Sequence, residues 1–284
     1  MISEDQSFAL LKRRIFLDRG FDCEQYKVNY LKRRIAVRLR ATGAEGYLQY
    51  MQILRKDPDE YTALLNELTV NVTQFFRDSD VYKRLREIVI PEIIKAKTRI
   101  SSRSLRIWSA GCASGEEPYS LAILINELLC AESLNWNIRV VGSDYDDNSL
   151  KVARAGVYQN LELEEDIDPR RYFLISENEG GSEFKVREGI RRQVRFEKKD
   201  LLEHQPRRHF DLVLCRNVLI YFGRDVQVRI LELLANSILW EGYLVLGKSE
   251  TVGTETSELL KPVFPVERIY RVEGAKSKAR RGKA

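Results

Sequence analysis

Histidine is almost missing from this chain. Its 284 residues include two, His204 and His209, both beside a proline-containing connection. A zinc centre needs more ligands in a closer pattern, so no metal is expected. A Ser-His-Asp hydrolase would show a nucleophile elbow, and no G-x-S-x-G occurs. Cysteine is also sparse: Cys23, Cys112, Cys130 and Cys215 stand apart with no C-x-x-C pairing. Such usage predicts reduced thiols in core positions of a cytoplasmic protein, not a disulfide framework. No apolar run reaches the length of a membrane span, and the acidic opening Met1-Ile2-Ser3-Glu4-Asp5 is unlike a signal peptide. Two nucleotide signatures are missing too, the G-x-G-x-x-G of dinucleotide sites and the lysine-bearing P-loop. What remains is a chain with 44% hydrophobic and 31% charged residues, long enough for a large core and two domains.

The most informative stretch is residues 105–121, LRIWSAGCASGEEPYSL. An apolar strand (Leu105, Ile107, Trp108) runs into the small-residue loop Ser109 to Gly115, and a helical run opens at Glu116. Strand, small loop and helix form the ligand-cradling unit of doubly wound folds. A phosphate ligand would sit at the helix N-terminus, where backbone N–H groups attract anions. Glu116 and Glu117 stand there instead and would repel it. A ligand with ribose hydroxyls and a positive charge but no phosphate fits better, and S-adenosylmethionine (SAM) has that chemistry. The bland alternative is that both acids only complement the helix dipole.

A second strand, residues 138–143, ends at Asp144, a candidate acceptor for ribose hydroxyls. Asp146 and Asp147 are read as caps of a helix starting near Ser149. A third strand at 193–197 leads to Asp200-Leu201, either an adenine contact or a solvated loop. Residues 210–222, FDLVLCRNVLIYF, read as a buried parallel strand followed by Arg216-Asn217. Ligands sit at the carboxyl ends of such strands, so Asn217 is a candidate contact and Tyr221 a candidate neighbour.

Residues 1 to about 75 show helical periodicity without a strand signal. Four apolar stripes, beginning with Phe8, Leu11, Ile15 and Phe16, predict four short helices. A further helix is expected over 81–97. From Leu105 strands and helices alternate, which predicts a mostly parallel sheet. Residues 169–196 break that rhythm and read as a small antiparallel insertion. Ten Lys/Arg and three acids occupy residues 12–40, and Arg33, Arg34, Arg38 and Arg40 share one helix with the stripe Leu31/Ile35/Leu39. That arc is a solvated face or a docking face for an acidic partner or for phosphates. The last eleven residues hold five of the positive charges and no acid, so a disordered basic tail is expected over 274–284.

Together these blocks resemble the CheR family of chemotaxis receptor methyltransferases. Asn71-Val72-Thr73-Gln74-Phe75-Phe76-Arg77 is similar to that family's N-x-T-x-F-F-R signature, and residues 109–120 to its S-A-x-x-x-x-G-E-E-P-Y-S cofactor loop. CRNVLIYF at 215–222 and GKSET at 247–251 resemble later family blocks, in register from about residue 5 to 272. The resemblance implies an α/β, Rossmann-like, doubly wound SAM-dependent methyltransferase domain (81–273), a small all-α N-terminal domain (1–80) and an inserted antiparallel β-subdomain (about 169–196). It implies methylation of glutamate side chains on the acidic cytoplasmic helices of chemoreceptors. It further implies that Asn71, Thr73, Arg77, Gly111, Glu117, Asp144, Asp200, Leu201, Asn217 and Val218 hold the cofactor. Tyr221 and Arg77 would serve the reacting group, and Arg33, Arg34, Arg38 and Arg40 the acidic substrate helix. The β-subdomain is a candidate site for a receptor C-terminal peptide. Asp200 stands where the family commonly has Asn, and Cys112 where alanine is usual. Two other classes stay open: a nucleic-acid methyltransferase, against which the missing D/N-P-P-Y/W/F block counts, and a non-catalytic SAM-binding module. A monomer is the default state, with neither nucleic acid nor membrane insertion expected.

Overall fold

The computed structural model describes residues 2–69, 73–178, 181–203, 207 and 209–273. The chain divides into two compact units, Met1–Val70 with Tyr221–Gln227, and Asn71–Ile220 with Val228–Ala284. The boundary expected after residue 80 therefore falls inside the second unit.

Four helices build the first unit: α1 (Glu4–Arg19), α2 (Val28–Thr42), α3 (Tyr47–Lys56) and α4 (Pro58–Leu68). Local chemistry sets their ends. Ser3 and Gln6 close a capping box on α1. Gly20 and Gly43 end α1 and α2 in the left-handed conformation. Asp57 caps α4 immediately before Pro58. The apolar stripes meet inside: Leu11, Ile15, Leu31, Ile35, Tyr50 and Leu64 are fully buried. Phe16, read as part of the first stripe, is exposed.

A polar triad crosses this core. The Tyr50 hydroxyl donates to Glu60 Oε1 at 2.6 Å, and Arg38 donates from Nε and Nη2 to the same carboxylate at 3.0 and 2.5 Å. Burial pushes the Glu60 carboxyl up, but the hydrogen bonds from Arg38 and Tyr50 outweigh it and hold the group below its ordinary range. Arg34 likewise donates to Glu67 at 2.9 Å.

The second unit opens with α5 (Ser79–Arg84), a π turn (Leu85–Val89) and α6 (Ile90–Arg99). Pro91 lacks an N–H and crowds the carbonyl four residues back, and the wider turn just before it accommodates both. Next come β1 (Ser104–Ala110), α7 (Glu116–Leu129), β2 (Asn137–Asp144), α8 (Asp147–Ala155), β3 (Val157–Tyr158), α9 (Pro169–Tyr172), β4 (Phe173–Asn178) and β5 (Gly181–Val186). The chain continues through α10 (Glu188–Arg191), β6 (Val194–Lys198), β7 (Phe210–Cys215), α11 (Arg224–Ser237), β8 (Ile238–Leu246), β9 (Leu260–Phe264) and β10 (Ile269–Val272). Seven strands form one sheet in the order β6-β2-β1-β7-β8-β10-β9. The pairings from β6 to β8 are parallel, and those of β10 with β8 and β9 antiparallel. The chain runs outward from β1 through β2 to β6 and then resumes on the other side at β7. The order thus reverses between β1 and β7, which opens a crevice beyond their carboxyl ends.

The inserted sheet has the order β3-β5-β4, all antiparallel. Its strands lie between residues 157 and 186, not 169 and 196, because β6 pairs in parallel with β2 in the main sheet. All four cysteines are free, and Cys23, Cys112 and Cys215 are buried as expected. Cys130 is exposed, at the end of α7. Among the described residues no helix is long and apolar enough to cross a membrane.

Acidification tests the triad. The folded carboxyl of Glu60 titrates below its reference value of 4.5. Its contribution is therefore complete above that value and is lost as pH falls through the folded one. Glu60→Gln is expected to cost about 2 kcal/mol at neutral pH and to shrink the acid loss of stability. Urea melts from neutral pH down to about pH 3 measure both.

Candidate cofactor site

The loop after β1 alternates left-handed residues: Gly111 has φ 78°, Ala113 φ 45° and Gly115 φ 95°. The Gly111 and Cys112 N–H groups both donate to the Ser143 carbonyl, at 2.8 and 3.0 Å, and so tie the loop to the end of β2. A Cβ on Gly111 would lie 2.4 Å from Val218 Cγ2. Glycine there lets the turn after β7 close against the loop after β1. Tyr158 of the inserted sheet donates to the Ser114 carbonyl at 2.8 Å from the other side.

Carboxylates surround this loop. Glu116 and Glu117 fill the first turn of α7, and Ser114 Oγ donates to Glu116 at 2.8 Å. Burial raises the Glu116 carboxyl. Glu117 accepts from Ser109 Oγ at 2.8 Å and from Arg216 Nη1 at 3.1 Å. Asp144 accepts the Ala113 N–H at 2.8 Å on Oδ2 and the Asp146 N–H at 2.9 Å on Oδ1. Burial holds its carboxyl above the usual range despite these donors. Ionised carboxylates only accept hydrogen bonds, so they suit a ligand that donates. The helix end, where a phosphate would bind, carries negative charge. These acceptors therefore fit hydroxyls and a cation, as SAM offers, and do not fit a pyrophosphate.

A buried guanidinium organises the third side. Arg216 follows β7 and donates to Glu117, to Asp78 Oδ2 at 2.5 Å and to the Arg77 carbonyl at 2.8 Å. The 73–78 segment is pinned elsewhere too. The Phe76 N–H donates to Ser120 Oγ at 3.0 Å, and the Phe75 ring meets Tyr158 and Phe173 edge-on at 4.9 and 5.5 Å. In the sequence alone Arg216 is only the polar end of a strand. Its signal was a basic residue directly after an all-apolar run in a protein rich in acids at helix starts.

Residues 6–69 match the CheR methyltransferase all-alpha domain, and residues 71–264 match the CheR methyltransferase SAM binding domain. The chain belongs to the CheR methyltransferase family. A chemotaxis protein methyltransferase 2 of Pseudomonas aeruginosa is 32% identical over 91% of this chain and 90% of its own length. A probable chemotaxis protein methyltransferase of Rhizobium etli is 29% identical over 93% of this chain and all of its own. A chemotaxis protein methyltransferase of Borreliella burgdorferi is 27% identical over 92% of this chain and 93% of its own. The two CheR domain matches meet at the residue where the second compact unit begins.

Of the residues that the CheR resemblance singles out, Gly111 and Glu117 follow β1, Asp144 ends β2, and Asn217 and Val218 follow β7, with Val218 against Gly111. Thr73 and Arg77 lie half-buried in the pinned 73–78 segment. Asp200 and Leu201 follow β6, and Asp200 Oδ1 accepts the Leu202 N–H at 2.8 Å in a local turn. Asn71, His204 and the basic tail lie outside the described residues. Tyr221 belongs to the helical unit, where its ring packs against Tyr30 with centroids 4.8 Å apart. Arg34 and Arg38, two of the four expected docking residues, carry ion pairs within that unit. Glu67 and Glu60 already meet their charges inside that unit, whereas Arg33 and Arg40 are exposed with no ion-pair partner among the described residues. Nor do those residues contain a His/Cys/Asp/Glu group able to hold a metal ion.

Removing the guanidinium would leave Asp78 and Glu117 without their buried cation. Arg216→Met is expected to destabilise the protein by about 3–5 kcal/mol, and adding Asp78→Asn should recover part of that loss. Denaturant midpoints of the single and double variants test this.

Proposed function

We propose that this protein transfers a methyl group from SAM to glutamate side chains of chemoreceptor cytoplasmic helices, forming methyl esters in the cytoplasm. Membership of the CheR family over both its all-alpha and SAM-binding parts carries the reading. The acidic cradle of Glu117 and Asp144 supports it. SAM supplies an activated methyl group on a sulfonium.

The chain's own part is then alignment. A substrate glutamate, with a reference pKa of about 4.3, is already ionised at neutral pH and needs no general base. Orientation of nucleophile and methyl donor can supply up to ~7–11 kcal/mol of the barrier. Glu117 would receive the ammonium of the donor's amino acid end, Asp144 the ribose hydroxyls, and Asp200-Leu201 the adenine. Asn71, Thr73 and Arg77 would contact it, with Arg77 against a carboxylate. Tyr221 would orient the incoming glutamate through one hydrogen bond. Arg33 and Arg40, seven residues apart and hence on one face of α2, would attract the acidic receptor helix. Such attraction weakens with salt. The inserted sheet is the candidate seat of a receptor tail peptide.

Transfer of a radiolabelled methyl group to a receptor cytoplasmic fragment, with RNA and DNA as controls, tests the function. The expected label is on the receptor and is released as methanol by alkali. Label on nucleic acid, or label stable to alkali, would refute the proposal. Tyr221→Phe is expected to lower kcat about tenfold, the weight of one hydrogen bond of ~1.4 kcal/mol. Affinity for S-adenosylhomocysteine should be unchanged, as titration calorimetry would show.

A further inference from the structure

Glu250 lies in the segment after β8, and no reading of the sequence gave it a role. It is 3% exposed, yet no cationic side chain pairs with it among the described residues. Its carboxylate is instead enclosed by four backbone N–H groups. Gly247 and Asn217 donate to Oε2 at 2.6 and 3.0 Å, and Leu219 and Ile220 donate to Oε1 at 2.7 and 3.3 Å. Three of the four belong to the turn that follows β7. An ionised carboxylate in the interior is tolerated when its lone pairs are met in this way.

The cage imposes a shape on that turn. Asn217 is held at φ 61°, a left-handed conformation that Asn tolerates better than most residues. With Asn217 so fixed, Val218 projects onto the bare α-carbon of Gly111 in the cofactor loop. The cage itself is closely fitted. A Cβ on Gly247 would lie 2.7 Å from the Asn217 nitrogen and 2.8 Å from Glu250 Oε2. Two residues before Glu250, Lys248 pairs with Asp80 at 2.8 Å, just beyond the pinned 73–78 segment. The loop after β8 thus grips both the turn after β7 and the start of α5.

We propose that Glu250 is a positioning residue for the cofactor, fixing the backbone of residues 217–220 so that Asn217 and Val218 meet the ligand in a preformed geometry. This rests on the SAM reading of the site. Glu250 touches no ligand; it acts through the turn that does.

Glu250→Gln keeps the size of the side chain but sets an amide NH2 against backbone donors. In the full-length chain it is expected to weaken S-adenosylhomocysteine about tenfold, equivalent to ~1.4 kcal/mol, and to raise the KM for SAM by a similar factor. A merely structural role would instead reduce the amount of folded protein. Binding stoichiometry and kcat would then fall while Kd stayed the same. An unchanged Kd in the folded variant overturns the proposal. Should the variant not fold, amide exchange in the wild-type chain without ligand decides. Slow exchange at Asn217, Leu219 and Ile220 supports the preformed turn. Fast exchange that slows only on adding S-adenosylhomocysteine overturns it. A wild-type chain that does not bind S-adenosylhomocysteine would sink the cofactor reading itself and this role with it, an outcome distinct from binding that ignores the substitution.

Discussion

One buried positive charge holds the second unit's ligand end together. The Arg216 side chain is 2% exposed and sits between Glu117 and Asp78, which come from the first turn of α7 and the segment before α5. An isolated guanidinium in that position would be prohibitive. Arg216 tolerates burial only with both carboxylates, which themselves keep 25% (Asp78) and 13% (Glu117) of their side-chain surface exposed. Segments far apart in the chain must therefore arrive together, and the cofactor loop is built in the space they define. Such a device adds little net stability compared with a well-packed apolar core, but it admits few alternative arrangements.

Around that set the backbone carries much of the electrostatic work. Asp144 is oriented by two N–H groups and Glu250 by four. Charged side chains thus meet amide dipoles instead of mobile cations. Amide dipoles are fixed by the fold and need no reorganisation when a ligand arrives, which is the condition for a site that works by orientation. Helix α7 adds the complementary feature. Its positive end is met by Glu116 and Glu117, so the strongest anion-attracting point of the doubly wound fold is already satisfied.

Much of this was legible in the sequence, and what was not has a physical cause. The four helices of the first unit, the alternation after Leu105 and the placement of Asp144 follow from periodicity and end signals that act over a few residues. The two-residue strand β3 carries no period, so the inserted sheet was bounded too late. The basic arc on α2 was read as surface because its partners Glu60 and Glu67 lie on α4, more than twenty positions away. Arg216 and Glu250 escaped notice for the same reason. A carboxylate bonded to backbone N–H groups thirty residues away leaves no pattern of residue types to read. The CheR resemblance supplied candidate cofactor residues, but it did not say what holds them still.

The burial of three thiols has a practical side. Cys23, Cys112 and Cys215 are shielded, and burial raises the pKa of each. Maleimide reagents react with accessible thiolates, so gentle alkylation should modify the native protein at Cys130. That position terminates α7 at the end remote from Glu116, a helix length of about 20 Å from the cradle. A fluorophore attached there would need no engineered cysteine and would leave the ligand-bearing end of the helix untouched.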